Sequence, residues 1–275
     1  MNLYRGCTHG CIYCDSRSTC YQMKHGFEDV HVKKDALSIL EKQLRSRKHP
    51  TMISTGAMCD HYMPMEEELQ LMRQCLELFE RYEFGVTVLT KSTLVLRDLD
   101  LFYSINATSK SVVQMTLTTA DPKLTSILEP HVSNTEERFE TLCTFKKAEI
   151  PTVVWLGPIL PFINDTEENL HQILDYCFEA GVKGILCFGF GTTMRDGSRD
   201  YFYSKLEEHL PGMKEQYEKR FGLMYDCKSP HARKLWRIFT KRCQKHGVMC
   251  DPNQVLRYLR TYERKDRQMT LFDYV

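Results

Sequence analysis

Three cysteines near the start of the chain, Cys7, Cys11 and Cys14, stand at x3 and x2 spacing. Thiolates are the ligands of soft metals and iron–sulfur clusters. Spacings this short let one loop wrap one face of a cubane. Three ligands for a four-iron cluster leave one iron open, and an open iron can bind a further molecule through nitrogen and oxygen atoms. A structural zinc site instead wants four closed ligands. His9 or Cys20 could supply the fourth, so zinc stands as a competing reading. The chain has twelve cysteines in all. Cys59, Cys75, Cys143, Cys177, Cys187, Cys227, Cys243 and Cys250 are scattered and read mostly as small buried hydrophobes. Cys227-x3-His231 and Cys243-x2-His246-x3-Cys250 make a second, irregular set of candidate ligands.

The elements that must hold the cysteine loop are legible further along. Of 275 residues, 42% are hydrophobic and 27% charged, which excludes a disordered chain. No apolar run approaches the roughly 18–20 residues of a membrane span. The first residues, MNLYRGC, carry no signal-peptide hydrophobic region. These features, with free thiols, predict a cytoplasmic protein. Strand-like runs fall at residues 52–54, 85–89, 112–117, 152–156 and 184–190, with helical patterns between them. Met65, Leu69, Met72, Leu76 and Phe79 recur at helical steps behind Glu66, Glu67 and Glu68. Asp165 is placed to cap a helix that Gly181 ends. Strand starts about 25–40 residues apart are the spacing of βα units, so the expected fold is α/β, with parallel strands in an open or partial barrel. Chemistry in such folds sits at the C-terminal ends of the strands, where the cysteine loop would lie. From about Tyr201 the strand signals stop, and helices are expected over 205–221, 230–246 and 253–265.

Cys7-Thr-His-Gly-Cys11-Ile-Tyr13-Cys14 resembles the cluster motif of radical S-adenosylmethionine (SAM) enzymes, including the aromatic residue before the third cysteine. The flanking Asn2-Leu-Tyr4-Arg5-Gly6 and Asp15-Ser16-Arg17 resemble the spore photoproduct lyase-like branch, often labelled DNA repair photolyase. Gly56-Ala57-Met58-Cys59-Asp60-His61-Tyr62-Met63-Pro64 with Glu66, Thr90-Lys91, Leu128-Glu129-Pro130 with Arg138, and Gly157-Pro158 through Asn164-Asp165 extend the likeness. It covers residues 2–196 well and the helical end loosely.

The resemblance implies a partial (β/α)6 radical SAM barrel over residues 1–200, a basic helical extension over 201–266 and a tail over 267–275. It implies a [4Fe–4S] cluster on Cys7, Cys11 and Cys14 and SAM on the open iron. The reduced cluster would cleave SAM to a 5′-deoxyadenosyl radical that abstracts hydrogen. A low-potential electron donor of flavodoxin or ferredoxin type is implied with it. Among the SAM-binding candidates, Tyr13 would flank the adenine, and Lys91 would pair with the SAM carboxylate. Thr116 would turn its hydroxyl into the barrel, and the backbone at Ala57 and Met58 would hold the methionine amino group. Arg138 sits in a first helical turn, where the macrodipole disfavours a cation, so a specific anionic partner such as the SAM carboxylate is expected.

Two positions depart from the lyase pattern. Where those enzymes carry a hydrogen-donating cysteine, this chain has Ala57. Cys59, two residues on and on the same face of an extended strand, is the candidate substitute. Where they carry a tyrosine after the third cluster cysteine, this chain has Asp15.

The formal net charge of +1 conceals a division. Residues 228–275 hold twelve Lys+Arg and four Asp+Glu, leaving a balance of −7 for residues 1–227. Arg233, Lys234, Arg237, Lys241, Arg242 and Lys245 recur along one helix, with Arg257, Arg260, Arg264, Lys265 and Arg267 beyond and Trp236, Tyr258 and Tyr262 interleaved. Such a face can track a phosphate backbone, making DNA a candidate partner through residues 228–267; a solvated helix packed on the acidic barrel is the alternative. The tail Gln268-Met269-Thr270-Leu271-Phe272 resembles the motif that docks bacterial DNA-processing proteins on the sliding clamp. The competing functions are radical modification of a peptide or small molecule, and a non-catalytic zinc-bound nucleic-acid or clamp-binding module.

Overall fold

The structure, a computed structural model, describes residues 1–265. A short strand β1 (Tyr4–Arg5) pairs antiparallel with β2 (His31–Val32), and the cysteine loop springs from between them. Its first ligand position is fixed by a bond from the Cys7 N–H to the Phe27 carbonyl, at 2.9 Å. The helix α1 (Ala36–Ser46) leads into β3 (Met52–Thr55). Then follow α2 (Glu66–Leu69), α3 (Leu71–Arg81), β4 (Gly85–Thr90), α4 (Leu99–Thr108), β5 (Ser111–Leu117), α5 (Pro122–Leu128), α6 (Thr135–Lys147), β6 (Thr152–Leu156), α7 (Glu167–Glu179) and β7 (Gly184–Leu186). The five strands β3 to β7 are parallel and lie in sequence order, the arc of a partial barrel.

Alternation along the strands divides the two faces of this sheet. On β5, Val113, Met115 and Leu117 enter the main core with Phe102 and Phe145, whose rings meet edge-on at 5.7 Å. Val112, Gln114 and Thr116 point the other way, into the barrel. Among the described residues no sixth parallel strand follows β7, only an isolated parallel bridge from Gly184 to Met249. The chain forms β8 (Gly191–Thr193), α8 (Ser198–His209), α9 (Met213–Phe221), β9 (Asp226–Lys228), α10 (Ala232–Lys245) and α11 (Pro252–Arg260), with β8 and β9 paired antiparallel. Val255 and Leu259 of α11 pack with Val112, Val153 and Leu186, so the lower end of the barrel interior is filled by apolar side chains. The upper end keeps polar ones. Helices α8 and α9 bring Phe202, Tyr217 and Phe221 into a second apolar cluster that includes Ile12 of the cysteine loop.

Several local expectations are corrected. The helix read through Met65–Phe79 breaks at Gln70, whose φ is +49°. There the buried Glu66 carboxylate accepts the Met72 N–H at 2.6 Å and so starts a new helix. The helix read over 205–221 is two, parted at Gly212 (φ +82°) after Pro211. Thr166, not Asp165, caps α7. Asp165 turns inward to the Phe162 N–H (2.8 Å) and the Ser229 hydroxyl (2.5 Å). The fifth strand ends at Leu186 rather than 190. Among the described residues, no helix is long and apolar enough to cross a membrane.

At the upper end of β3 the chain must cross close over its neighbour. Gly56 has φ +90°, and a Cβ there would lie 2.0 Å from the Leu89 carbonyl oxygen. Only glycine satisfies both conditions. Gly56→Ala is therefore expected to lower folding stability by about 3 kcal/mol, read as a shift of the denaturant midpoint at unchanged m-value.

Candidate functional site

The upper ends of β3 and β4 and the cysteine loop meet on one carboxylate. Asp60, in the turn after β3, accepts the Thr90 hydroxyl (2.8 Å) and the backbone N–H groups of Tyr62 (2.9 Å) and Lys91 (2.7 Å). His9, inside the cysteine loop, brings Nε2 to 3.1 Å from it, and its Nδ1 lies 3.2 Å from the His131 carbonyl oxygen. Burial alone would raise the Asp60 pKa. His9 and the two backbone donors outweigh it and hold the carboxyl well below the ordinary range.

A second buried anion, Glu129, follows α5. The Tyr13 hydroxyl donates to it, as does Thr118 (3.0 Å), and Arg138 pairs with it at 2.6 Å. Burial would again raise this carboxyl; Arg138 first and Lys91 second pull it below its usual value. Arg138 is itself fully buried. Nε donates to the Ser133 carbonyl at 2.8 Å, Nη1 to the Thr116 carbonyl at 3.0 Å, and Nη2 faces Glu129. All three nitrogens are thus engaged within the protein. The partner that the helix position called for is Glu129, and Arg138 reaches the upper barrel through Glu129 and Tyr13.

Lys91 differs. It is half-buried at the end of β4, with Nζ 6.0 Å from the centre of the Tyr13 ring. Burial disfavours its charge, but Cys11 and Glu129 outweigh that and raise its pKa. Among the described residues nothing accepts a hydrogen bond from Nζ. Thr116, 6% exposed on the inner face of β5, also has a hydroxyl with no hydrogen-bond partner among the described residues. Ala57 is exposed and Met58 half-buried in the turn between Gly56 and Asp60. Tyr13, Lys91 and Thr116 therefore border one region beside the cysteine loop. Cys59 does not join them. Its thiol donates to the Tyr4 carbonyl at 3.3 Å inside the main core, and burial pushes its pKa up to about 11. Asp15 accepts the Tyr21 hydroxyl at 3.0 Å and pairs with Arg195 at 3.2 Å, tying the loop to the segment after β8.

The three cysteines stand too far apart to close together on a single ion. Cys7 and Cys11 are buried and Cys14 half-buried. Burial pushes the Cys7 thiol up to about 12 and raises Cys11 as well. Tetrahedral zinc at about 2.3 Å from each sulfur needs thiolates about 3.8 Å apart. Among the described residues, the one group of His, Cys, Asp or Glu whose ligating atoms all lie within 4.8 Å is His25, Asp29 and His31; the three cysteines are more widely set. Sulfurs on separate irons of a cubane are wider apart than those on one ion. The second candidate ligand set does not form. Cys227 belongs to the α8–α9 cluster, Cys243 to the main core, and His246 stacks on Phe178 at 4.0 Å.

Sequence reasoning missed how far charge is buried here. Glu66 and Asp98, both with 0% exposure, are held by Arg97 at 3.3 and 2.8 Å, with Tyr4 donating to Glu66 and Tyr62 to Asp98. The run Glu66-Glu67-Glu68 reads as a solvated helix start, and only an arginine–aspartate pair at 97–98 hinted otherwise.

A fold with the cysteine loop over the upper end of a partial parallel barrel defines a class, and comparison with known proteins agrees. The model of the radical SAM superfamily matches residues 1–177, and the chain belongs to that superfamily. The family implies an enzyme that uses SAM and an iron–sulfur cluster. The chain is 28% identical over 233 residues to an uncharacterised protein of Mycobacterium tuberculosis, covering 80% of this chain and 66% of that one, just under two thirds of the relative's length. It is 29% identical over 170 residues to an uncharacterised Methanocaldococcus jannaschii protein, covering 61% and 62%. Among solved structures, a mutant spore photoproduct lyase with bound AdoMet and dinucleoside spore photoproduct superposes at TM-score 0.65 and 14% identity, over 90% of this chain and 74% of that one. Streptococcus suis SuiB bound to S-adenosylmethionine superposes at 0.52 and 14%, over 89% and 49%. At these identities the likeness establishes the fold.

His61 gives the site's surroundings a pH signature. It is buried, its Nε2 accepts the Leu3 N–H at 3.1 Å, and burial lowers its pKa to about 4 from an ordinary value near 6.5. The unfolded chain binds this proton first, so the stabilisation is complete above about pH 6.5 and is lost as pH falls towards about 4. Stability measured by denaturant titration should decline across that window, and His61→Gln should flatten the decline.

Proposed function

We propose that this protein is a radical SAM enzyme that acts on nucleic acid, with a [4Fe–4S] cluster on Cys7, Cys11 and Cys14. The observation that carries the SAM assignment is Lys91: a half-buried cation with no acceptor among the described residues, beside Tyr13 and the cysteines. Its ammonium is matched to the SAM carboxylate. Tyr13, braced by Glu129 and Thr118, supplies a ring face for the adenine. Thr116 offers a hydroxyl without a partner among the described residues, and the backbone of Ala57 and Met58 suits the methionine amino group. Arg138 positions Tyr13 through Glu129 rather than touching SAM. When bound, the reduced cluster supplies an electron that cleaves SAM to a radical able to abstract a substrate hydrogen. A low-potential donor of flavodoxin or ferredoxin type would provide that electron. The thiol of Cys59 faces a backbone carbonyl and is given no part in the reaction.

The nucleic-acid reading rests on the helical end. Lys234 and Arg242 are committed to Glu167 and Asp175 of α7, and Tyr258 and Tyr262 are half-buried against Lys110 and the Glu83 carbonyl. Among the described residues, Arg233, Arg237, Lys241, Lys245, Arg257 and Arg260 are exposed without a carboxylate partner. That leaves a basic surface with Trp236 as its exposed aromatic. The spore photoproduct lyase likeness favours a DNA substrate, while Ala57 and Asp15 speak against the photoproduct reaction itself. The clamp-docking motif, residues 268–272, lies outside the described residues.

Anaerobically reconstituted protein should carry about four irons and matching sulfide per chain and release 5′-deoxyadenosine on reduction with SAM. Cys7→Ala, Cys11→Ala or Cys14→Ala should lose the cluster and slow SAM cleavage at least about a hundredfold. Zinc without sulfide would sink the assignment. Neutralising Arg233, Arg237, Arg257 and Arg260 should weaken oligonucleotide binding and flatten its salt dependence by about 0.7 per lost phosphate contact on a single strand.

A further inference from the structure

The inner face of the sheet carries an aromatic pair that the assignments above leave unused. Trp155, on β6, stands opposite Thr116 of β5 in the sheet register, on the inner face. Its indole N–H donates to Gln114 Oε1 at 2.5 Å, and Gln114 Nε2 donates to the Thr87 hydroxyl at 2.7 Å. Three strands thus fix the indole in one orientation. Phe188, just past β7, meets Trp155 edge-on, with ring centres 5.8 Å apart at 67°. Phe188 is 67% exposed although the residues around it are locked. Cys187 is fully buried, Phe190 is 3% exposed, and the Phe190 carbonyl accepts the Ser229 N–H at 3.0 Å. A large apolar ring held in water by an anchored turn has a face free for a partner. The edge-on contact leaves a face of Phe188 free for stacking, with the half-buried Trp155 as its fixed neighbour.

Two residues along the chain from Phe188, the turn meets the basic helix α10. Phe190 touches Trp236 of α10 edge-on at 6.1 Å, and Arg233 and Arg237 flank Trp236, exposed and without carboxylate partners among the described residues. Aromatic faces beside unpaired arginines are how single-stranded nucleic acid is held without base-specific hydrogen bonds. We propose that Phe188 and Trp155 form a stacking site for one nucleobase, unpaired or swung out of a duplex, beside the region assigned to SAM. This deepens the nucleic-acid reading and rests on it. Gln114 is a positioning residue, acting through Trp155.

The test uses cluster-loaded protein under anaerobic conditions and a single-stranded oligonucleotide carrying 2-aminopurine, whose emission falls when the base stacks. Wild-type protein should quench it. Phe188→Ala should lose most of the quench and bind about tenfold more weakly, with its salt dependence unchanged, because phosphate contacts remain. Phe188→Tyr should restore the quench. Binding without quench, or a quench indifferent to Phe188→Ala, overturns the stacking site while leaving the nucleic-acid reading intact. No oligonucleotide binding at low salt overturns that reading and the nucleobase assignment together. So does a Trp155 emission change, in a Trp236→Phe background, that an aromatic peptide produces and the oligonucleotide does not.

Discussion

The upper end of this barrel is held together by a buried carboxylate. Asp60 accepts hydrogen bonds from a hydroxyl and two backbone N–H groups and faces His9 at 3.1 Å. These partners come from three chain segments distant in sequence: the cysteine loop, the turn after β3 and the end of β4. A buried anion of this kind tolerates little rearrangement, because losing any donor leaves charge uncompensated in a poorly polarisable surrounding. It fixes the height of Lys91 and the seat of the cysteine loop at once. Glu129 does the same one strand over, for Tyr13 and Arg138. The cysteine loop rests on these two anions, through His9 and Tyr13, as well as on its backbone bonds to Phe27 and Leu128.

This arrangement explains which parts of the molecule were legible in the sequence. The cysteine spacing is local chemistry and survives any fold. The five strands were visible because strands buried on both faces read as short apolar runs, and all seven residues of β5, Ser111–Leu117, are buried. Helix breaks were not visible. Gln70 terminates α2 because Glu66 reaches forward to the Met72 N–H, a contact that depends on Glu66 being buried by Tyr4 and Arg97. An acidic run has the same letters whether it faces water or the core. Arg138 shows a milder case. Its awkward place in a helix start correctly signalled an anionic partner, but the partner was a glutamate of this chain, which no spacing rule could select.

The helical end divides in a similar way. Counted along the sequence, its cations and aromatics looked like one surface. In the structure the chain spends some of them on itself: Lys234 and Arg242 on α7, Tyr258 on Lys110, and Tyr262 on the Glu83 carbonyl. What remains exposed is narrower and sits partly on α10, close to the turn that carries Phe188. Net charge by segment located the basic half; tertiary packing decided which basic residues are available to a partner.

The apolar plug supplied by α11 makes the barrel a one-ended vessel. Val255 and Leu259 fill its floor, and the Lys265 N–H bonds to the Thr108 carbonyl at the same end, 2.9 Å away. A strand the length of β5 rises about 20 Å from floor to mouth. Residue 265 therefore lies at the foot of the molecule, at the end away from the cysteine loop. Among the described residues, a molecule reaching the barrel interior has one way in and out, past the cysteine loop at the rim.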